Sequence, residues 1–309
     1  MVYKKLALIV FLALVVFLGA AESQLSISED VRNFLAATFF VPSITMSDLK
    51  DKYISAEETG KKIKILLVPG HEPNFGGTEF GKLKERDMNV DLAIELKNNL
   101  ESNRRFEVIL TRDKDNWNPE LEKYFNNNWE AIKDFTKLKK TAMNLLIAEG
   151  RVEKVSSGVR HNTVPGDVAY RLFGINRWSR GIGVDVLIHI HFNDYSRAQT
   201  YLPGKHKGFA IYIPEKQYSN SVATKEIATN IFKRLEEFFV VSDLPREDAG
   251  IIESQDLIAI GQSNSLNAAS ILIEYGYIYR PQFAGQVSRE SAFDKMARQT
   301  YLGLEDSFK

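Results

Sequence analysis

The chain has 309 residues, of which 44% are apolar, and its 40 basic residues are balanced by 40 acidic ones. This size and composition are typical of one sizeable α/β domain, alone or with a smaller appendage, and the zero net charge argues against a nucleic-acid-binding protein, which normally carries a basic excess. The chain has no cysteine, which excludes disulfides, thiolate metal ligands and a cysteine nucleophile, so any metal site must use His, Asp and Glu.

The first 21 residues predict a segment that interacts with a membrane. Two lysines, Lys4 and Lys5, precede an apolar stretch that runs from Leu6 to about Ala21 and ends in small residues. This is the layout of a cleavable signal peptide. An uncleaved membrane anchor is the alternative, although the stretch is slightly short for a full span of about 20 residues. Either interpretation places the rest of the chain outside the cytoplasmic membrane, as a secreted, periplasmic or envelope-associated protein.

Strands and helices are predicted to alternate along a domain that spans residues 62–309. Residues 22–61 are mixed and polar, and we interpret them as a linker or N-terminal extension with some packed or helical structure. Apolar runs predict strands at 62–68, 106–111, 185–192, 208–214 and 269–275. Amphipathic patterns predict helices at 85–101, 226–239 and about 287–306.

This alternation predicts an α/β fold with a mostly parallel, twisted sheet and helices on both faces. Residues 114–165 interrupt the alternation, because they are rich in charge and largely helical in pattern. We interpret them as a helical insert, either a subdomain or a lid. In a parallel sheet, ligands bind outside the carboxyl ends of the strands, so residues that follow the strands are the first candidates for a functional site.

Three places near such ends carry suitable side chains. His71 follows the Pro69-Gly70 end of the first strand, Glu85 begins a long helix, and the run IHIHFND places His189 and His191 on one face of a strand. Two imidazoles and a carboxylate suit Zn²⁺ and leave a fourth position for water or substrate. His191 lies nearer the end of its strand and is the better ligand candidate, which leaves His189 as a supporting residue or a substrate contact.

Glu274 is the candidate for moving a proton. It shares a strand face with Leu272, and burial at the end of an apolar strand would raise its pKa into a useful range. Each candidate also has a structural alternative: His71 as an ordinary loop residue, Glu85 as a first-turn acid favoured by the helix dipole, the histidine pair as hydrogen-bonded core, and Glu274 as the ion-pair partner of Arg280.

Four blocks, taken in order, resemble a known family. LLVPGHEPN, the helix GKLKERDMNVDLAIELKNNLE with the following strand FEVILTRDKD, DVLIHIHFND and ASILIEYGYI are similar to the signature blocks of the zinc-dependent N-acetylmuramoyl-L-alanine amidases of the amidase 3 family. The blocks cover most of residues 62–309 apart from the insert. The resemblance implies the α/β fold of the zinc amidases, which is described as phosphorylase/hydrolase-like.

The resemblance also implies roles for individual residues. His71, Glu85 and His191 match the family's zinc ligands, Glu274 matches its catalytic glutamate, and Asn193 matches an asparagine that is a structural or substrate contact. Members hydrolyse the amide bond between N-acetylmuramic acid and L-alanine in peptidoglycan, so the implied cofactor is Zn²⁺ and the implied substrate is peptidoglycan.

The chain departs from the family pattern in three places. His189 replaces the usual serine, Glu72-Pro73-Asn74 precede the glycines that normally follow the first histidine, and residues 246–250 replace a common Arg-Gly pair. These departures affect the expected substrate preference more than the expected activity.

The insert has a regulatory and a structural interpretation. In some relatives an inserted helix covers the zinc until an activator removes it, so residues 114–165 could gate the cleft and bind an activator protein. A surface elaboration without a regulatory role is the alternative, because loops accept insertions freely. Two other functions also stay open at this point: a zinc peptidase that acts on the stem peptides, and a non-catalytic cell-wall binding protein.

Overall fold

The computed structural model describes residues 44–159, 165–261 and 267–309. The predicted signal peptide or anchor at 1–21 and the first part of the 22–61 extension lie outside these residues. No helix in the described ranges has both the length and the apolar character needed to cross a bilayer.

A six-stranded sheet forms the centre of the domain. Its strands are β1 (Ile63–Pro69), β4 (Phe106–Leu110), β5 (Val186–Asn193), β6 (Ala210–Pro214), β7 (Ile251–Ser254) and β8 (Ala269–Tyr277), in the spatial order β4-β1-β5-β8-β6-β7. The β6–β8 pair is antiparallel, and the other four pairings of this sheet are parallel. A short hairpin of β2 (Glu79–Phe80) and β3 (Leu83–Lys84) stands apart from it.

Helices cover both faces of the sheet, so the predicted α/β architecture is confirmed. The helices are α1 (Met46–Thr59), α2 (Glu85–Glu101), α3 (Pro119–Ala148), α4 (Gly166–Gly181), α5 (Ser221–Glu236), α6 (Pro281–Ala284) and α7 (Gln286–Phe308). The core on one face contains residues of α1, α2, α5 and α7, whereas α3 and α4 contribute to the core on the other. Strand β1 shows why its sequence is apolar throughout: Ile65 and Leu67 pack into the first core, and Leu66 and Val68 into the second.

The extension contains a helix that packs on the domain. Thr45 caps α1, because its side chain accepts a hydrogen bond from Asp48 N while the Asp48 carboxylate accepts one from Thr45 N. Leu49 and Tyr53 of this helix are buried in the core beside β1. The compact part of the chain therefore includes residues before Lys62.

The segment predicted as an insert begins as a core element. Asn118 caps α3, and Leu121, Phe125 and Ile132 from its first half are buried against Leu66 and other residues of the second core. Removing the whole 114–165 segment would therefore expose one face of the sheet. Gating by this segment stays a prediction, and single substitutions test it better than a deletion.

Candidate metal centre and active site

The three predicted ligands, His71, Glu85 and His191, converge at the carboxyl ends of β1 and β5. His71 Nε2 lies 2.8 Å from Glu85 Oε1, and His191 Nδ1 lies 3.1 Å from the same oxygen. One potential ligand atom from each residue falls within 4.8 Å of the other two. The meeting follows from the topology, because β1 and β5 are adjacent and parallel and the N-terminus of α2 lies beside their ends.

The local chemistry fits a cation held between these groups. His71 Nε2 is buried and has no well-aligned hydrogen bond in the described structure, although the Glu85 carboxylate is close to it. Glu85 Oε2 accepts a hydrogen bond from Thr78 N at 3.0 Å, and Oε1 accepts one from Phe192 N at 3.3 Å. The carboxylate is therefore fixed in place while both imidazoles face it. Two imidazoles and one carboxylate form a donor set typical of zinc sites with an open position.

The protonation states also suit metal binding. Burial by itself would raise the pKa of Glu85, but the adjacent His71 and His191 outweigh it and hold this pKa well below the ordinary 4.5. Burial lowers the pKa of His191 below 6.5, and the contact with Glu85 only partly opposes this. A carboxylate beside a neutral imidazole is the state that ligates a metal ion.

The Pro-Gly-His turn has a steric reason. A Cβ atom at Gly70 would overlap the imidazole ring of His191. The backbone can therefore approach this ring so closely only at a glycine. His71 follows with φ of 68°, in the left-handed region. For a residue with a Cβ atom this conformation costs about 1–2 kcal/mol, so the surrounding contacts must hold it in place.

Arg112, a residue that the sequence patterns did not indicate as functional, supplies much of that support. Its guanidinium donates to Pro69 O at 3.1 Å, Gly70 O at 2.5 Å and Arg86 O at 2.9 Å. It thereby joins the His71 turn to the helix that carries Glu85. Burial lowers the pKa of Arg112 to about 10, which still leaves it charged at neutral pH. The available signal was the Thr-Arg-Asp run at the end of β4.

Glu274 lies on β8, the strand next to β5, close to the three predicted ligands. It is the register partner of His191 in the parallel β5–β8 pair, and its Oε2 is buried with no hydrogen-bond partner among the described residues. Burial raises the pKa of Glu274 well above 4.5, and the negative charges of Glu85 and Glu247 raise it further. No ion pair joins it to Arg280 in the described structure.

Comparison with known proteins identifies the family. A family model described as N-acetylmuramoyl-L-alanine amidase matches residues 65–306. The chain belongs to this amidase family. It is therefore an enzyme that hydrolyses the amide bond between N-acetylmuramic acid and L-alanine in peptidoglycan, and the resemblance found in its sequence blocks is confirmed.

Individual relatives agree with the family match. A putative N-acetylmuramoyl-L-alanine amidase of Buchnera aphidicola subsp. Acyrthosiphon pisum (strain APS) is 26% identical over 270 residues, which cover 80% of this chain and 95% of the relative. The CwlD amidase of Clostridioides difficile, solved in complex with the GerS lipoprotein, has a TM-score of 0.51 at 19% identity, covering 80% of this chain and 98% of that one. The apo form of an amidase of Mycobacterium abscessus has a TM-score of 0.51 at 13% identity, covering 80% and 98%.

His189 is more deeply buried than the two histidines predicted as ligands. It is 2% exposed, and its Nε2 is buried without a hydrogen-bond partner among the described residues. Burial, with a smaller effect of His191, lowers the pKa of His189 to about 3, so this imidazole is neutral at physiological pH. It can therefore offer a neutral hydrogen bond within the site.

A buried carboxylate that was not predicted from the sequence anchors Asn193. Glu247 is 1% exposed and accepts hydrogen bonds from Asn193 Nδ2 at 3.2 Å, Tyr212 OH at 2.6 Å and Ser242 Oγ at 2.5 Å. Asn193 thus ties the end of β5 to residues of β6 and the 242–247 loop. The sequence signal was weak, because residues 246–250 stood out only as a departure from the family pattern.

Proposed function

We propose that this amidase holds a catalytic Zn²⁺ through His71, Glu85 and His191, and that Glu274 carries the proton during hydrolysis. The observation that supports the proposal is the convergence of three potential ligand atoms within 4.8 Å of one another, beside Glu274, whose Oε2 has no hydrogen-bond partner among the described residues. When bound, Zn²⁺ would polarise the amide carbonyl and acidify the attacking water.

Glu274 has the properties required of an acid–base group. Its pKa is raised by burial and by the charges of Glu85 and Glu247, so its carboxyl group binds a proton more readily than an exposed glutamate does. Oε2, which is free of protein partners in the described structure, accepts the proton of the attacking water. The same oxygen then protonates the nitrogen of the departing L-alanine, which leaves Glu274 ready for the next cycle.

His189 and Asn193 have different proposed roles. His189 presents a buried and neutral imidazole, so protonated at Nε2 it can donate to the substrate oxygen on which negative charge develops. The hydrogen bond of Asn193 to Glu247 supports a structural role in which the end of β5 is held beside the site.

The location and the partners are proposed on separate grounds. We infer that the enzyme acts outside the cytoplasmic membrane, on the basis of the lysine-initiated apolar stretch at 1–21 and the peptidoglycan substrate. We also infer that a partner protein can act on the 114–165 segment. Support comes from the C. difficile amidase, whose structure was solved with a lipoprotein.

Analysis of the products, with and without metal, tests the proposed chemistry. The full chain is incubated with peptidoglycan as prepared, after chelation, and after Zn²⁺ is added back, and the fragments are identified by mass spectrometry. We expect the products to be peptides with a free L-alanine amino terminus and glycan with an intact lactyl acid. Chelation should abolish the formation of these products, and added Zn²⁺ should restore it. Cleavage within the stem peptide would indicate a peptidase, and activity unaffected by chelation would contradict the metal proposal.

A further inference from the structure

The residue that follows the first proposed ligand is tied to the helical segment. Arg171 Nη1 on α4 donates to Glu72 Oε1 at 2.7 Å, and the side chains of these two residues are 29% and 16% exposed. Cζ of Arg171 also lies 5.6 Å from the centroid of the Trp129 ring on α3. A continuous set of contacts therefore runs from α3 through α4 to the backbone beside His71.

These contacts act on a turn that is supported from both sides. On the upstream side, Arg112 and Asn89 donate to the carbonyl of Gly70. On the downstream side, Glu72 N donates to Phe75 O at 3.1 Å, and the Glu72 carboxylate is held by Arg171. Because His71 occupies the left-handed region, its conformation depends on supports at both flanks.

We propose that Arg171 is a positioning residue that sets the metal affinity of the site by holding Glu72, and with it the backbone of His71, against the α3–α4 pair. This inference rests on the proposed Zn²⁺ site and extends it. Groups that orient ligands without touching the metal commonly determine how tightly it is bound. A movement of α3 and α4 would therefore be transmitted through the Glu72–Arg171 ion pair to His71 and would change how tightly the metal is bound.

The same helix provides a matched control. Arg177 lies six residues further along α4, donates to Tyr124 OH on α3 at 2.6 Å, and has its Cζ 5.8 Å from the Tyr124 ring centroid. It thus makes the same kind of α4–α3 contact as Arg171 but has no contact with the His71 turn among those described. Substitution of either arginine should loosen the helix pair to a similar degree.

The test measures Zn²⁺ affinity and does not rely on activity. Zn²⁺ is titrated against a chromophoric chelator with the full-length protein and with Glu72→Gln, Arg171→Ala, Arg177→Ala and the double exchange of Glu72→Arg with Arg171→Glu. We expect Glu72→Gln and Arg171→Ala to weaken Zn²⁺ binding roughly three- to tenfold. Arg177→Ala should bind as the unaltered protein does, and the exchange should recover part of the loss.

Thermal unfolding of the metal-free variants separates positioning from stability. Arg171→Ala and Arg177→Ala should lower the melting temperature by similar amounts. Equal Zn²⁺ affinities for these two variants would overturn the inference. If Arg171→Ala does not fold, the inference is tested with Glu72→Gln, which keeps the shape of the side chain. An unchanged Zn²⁺ affinity in that variant would also overturn the inference. Failure of the unaltered protein to bind Zn²⁺ would instead overturn the metal site itself, together with this extension.

Discussion

Glu274 on β8 and His191 on β5 are register partners in a parallel strand pair. In such a pair, the side chains of partner residues lie on the same face of the sheet. The proposed proton carrier and a proposed metal ligand therefore leave the sheet side by side, at its carboxyl edge. Backbone hydrogen bonds, and not a mobile loop, set their separation.

Replacing Glu274 tests its proposed role. Glu274→Gln keeps the size of the side chain but cannot accept and return a proton. We expect turnover of peptidoglycan fragments to fall by roughly 10²–10⁴-fold, whereas the zinc content measured by atomic emission should stay at one ion per chain. A variant that turns over at a rate near that of the unaltered protein would contradict the assignment.

Replacing Glu85 tests the metal site. Glu85→Gln removes the anionic ligand that both imidazoles face, so we expect the affinity for Zn²⁺ to fall by roughly 100-fold or more in a chelator competition assay. The matched control is Glu79→Gln, because Glu79 is an exposed glutamate in the nearby hairpin that pairs with Arg86. Similar losses in both variants would indicate a general electrostatic effect and would count against direct ligation.

Arg112 should matter for both stability and metal binding. Arg112→Lys keeps the charge, but a single ammonium group cannot donate to the same three backbone carbonyl groups as the planar guanidinium does. Some of these buried carbonyl oxygens therefore lose their hydrogen-bond donors. We expect a loss of about 1–3 kcal/mol in the free energy of unfolding measured with urea, together with weaker Zn²⁺ binding. Arg104→Lys, at an exposed position of the α2–β4 loop, should change neither quantity.

Lys139 should make stability depend on pH in the alkaline range. Burial, with a smaller contribution from Arg180, lowers the pKa of this α3 lysine from 10.5 to about 7. Between these two values the unfolded chain holds a proton that the folded chain has released, so the free energy of unfolding rises with pH, by up to about 1.4 kcal/mol per unit.

The Lys139→Met variant isolates this contribution. We expect it to be more stable than the unaltered protein at pH 7, and urea unfolding at pH 7, 8 and 9 should show the difference shrinking as the pH rises. Lys137→Met, at an exposed position of the same helix, serves as the control and should leave the pH dependence unchanged. A constant difference between Lys139→Met and the unaltered protein would show that Lys139 keeps its proton when buried.

The architecture and the residues that converge could be predicted from sequence patterns. Strand β1 reads as one apolar run because both of its faces are buried, and alternating elements predict a mostly parallel sheet. His71, Glu85 and His191 could be selected because each lies at the end of a strand or the start of a helix, where this topology gathers functional groups.

The residues that support the site, in contrast, became evident from the packing of distant elements. Arg112 reaches Gly70 across 42 positions of the chain, and Arg171 reaches Glu72 across 99. Glu247 meets Asn193 across 54 positions. Local patterns report periodicity and turn chemistry within a few residues, whereas these hydrogen bonds depend on how distant elements pack. For the same reason, the core role of the first half of α3 could not be read from its charged and helical pattern.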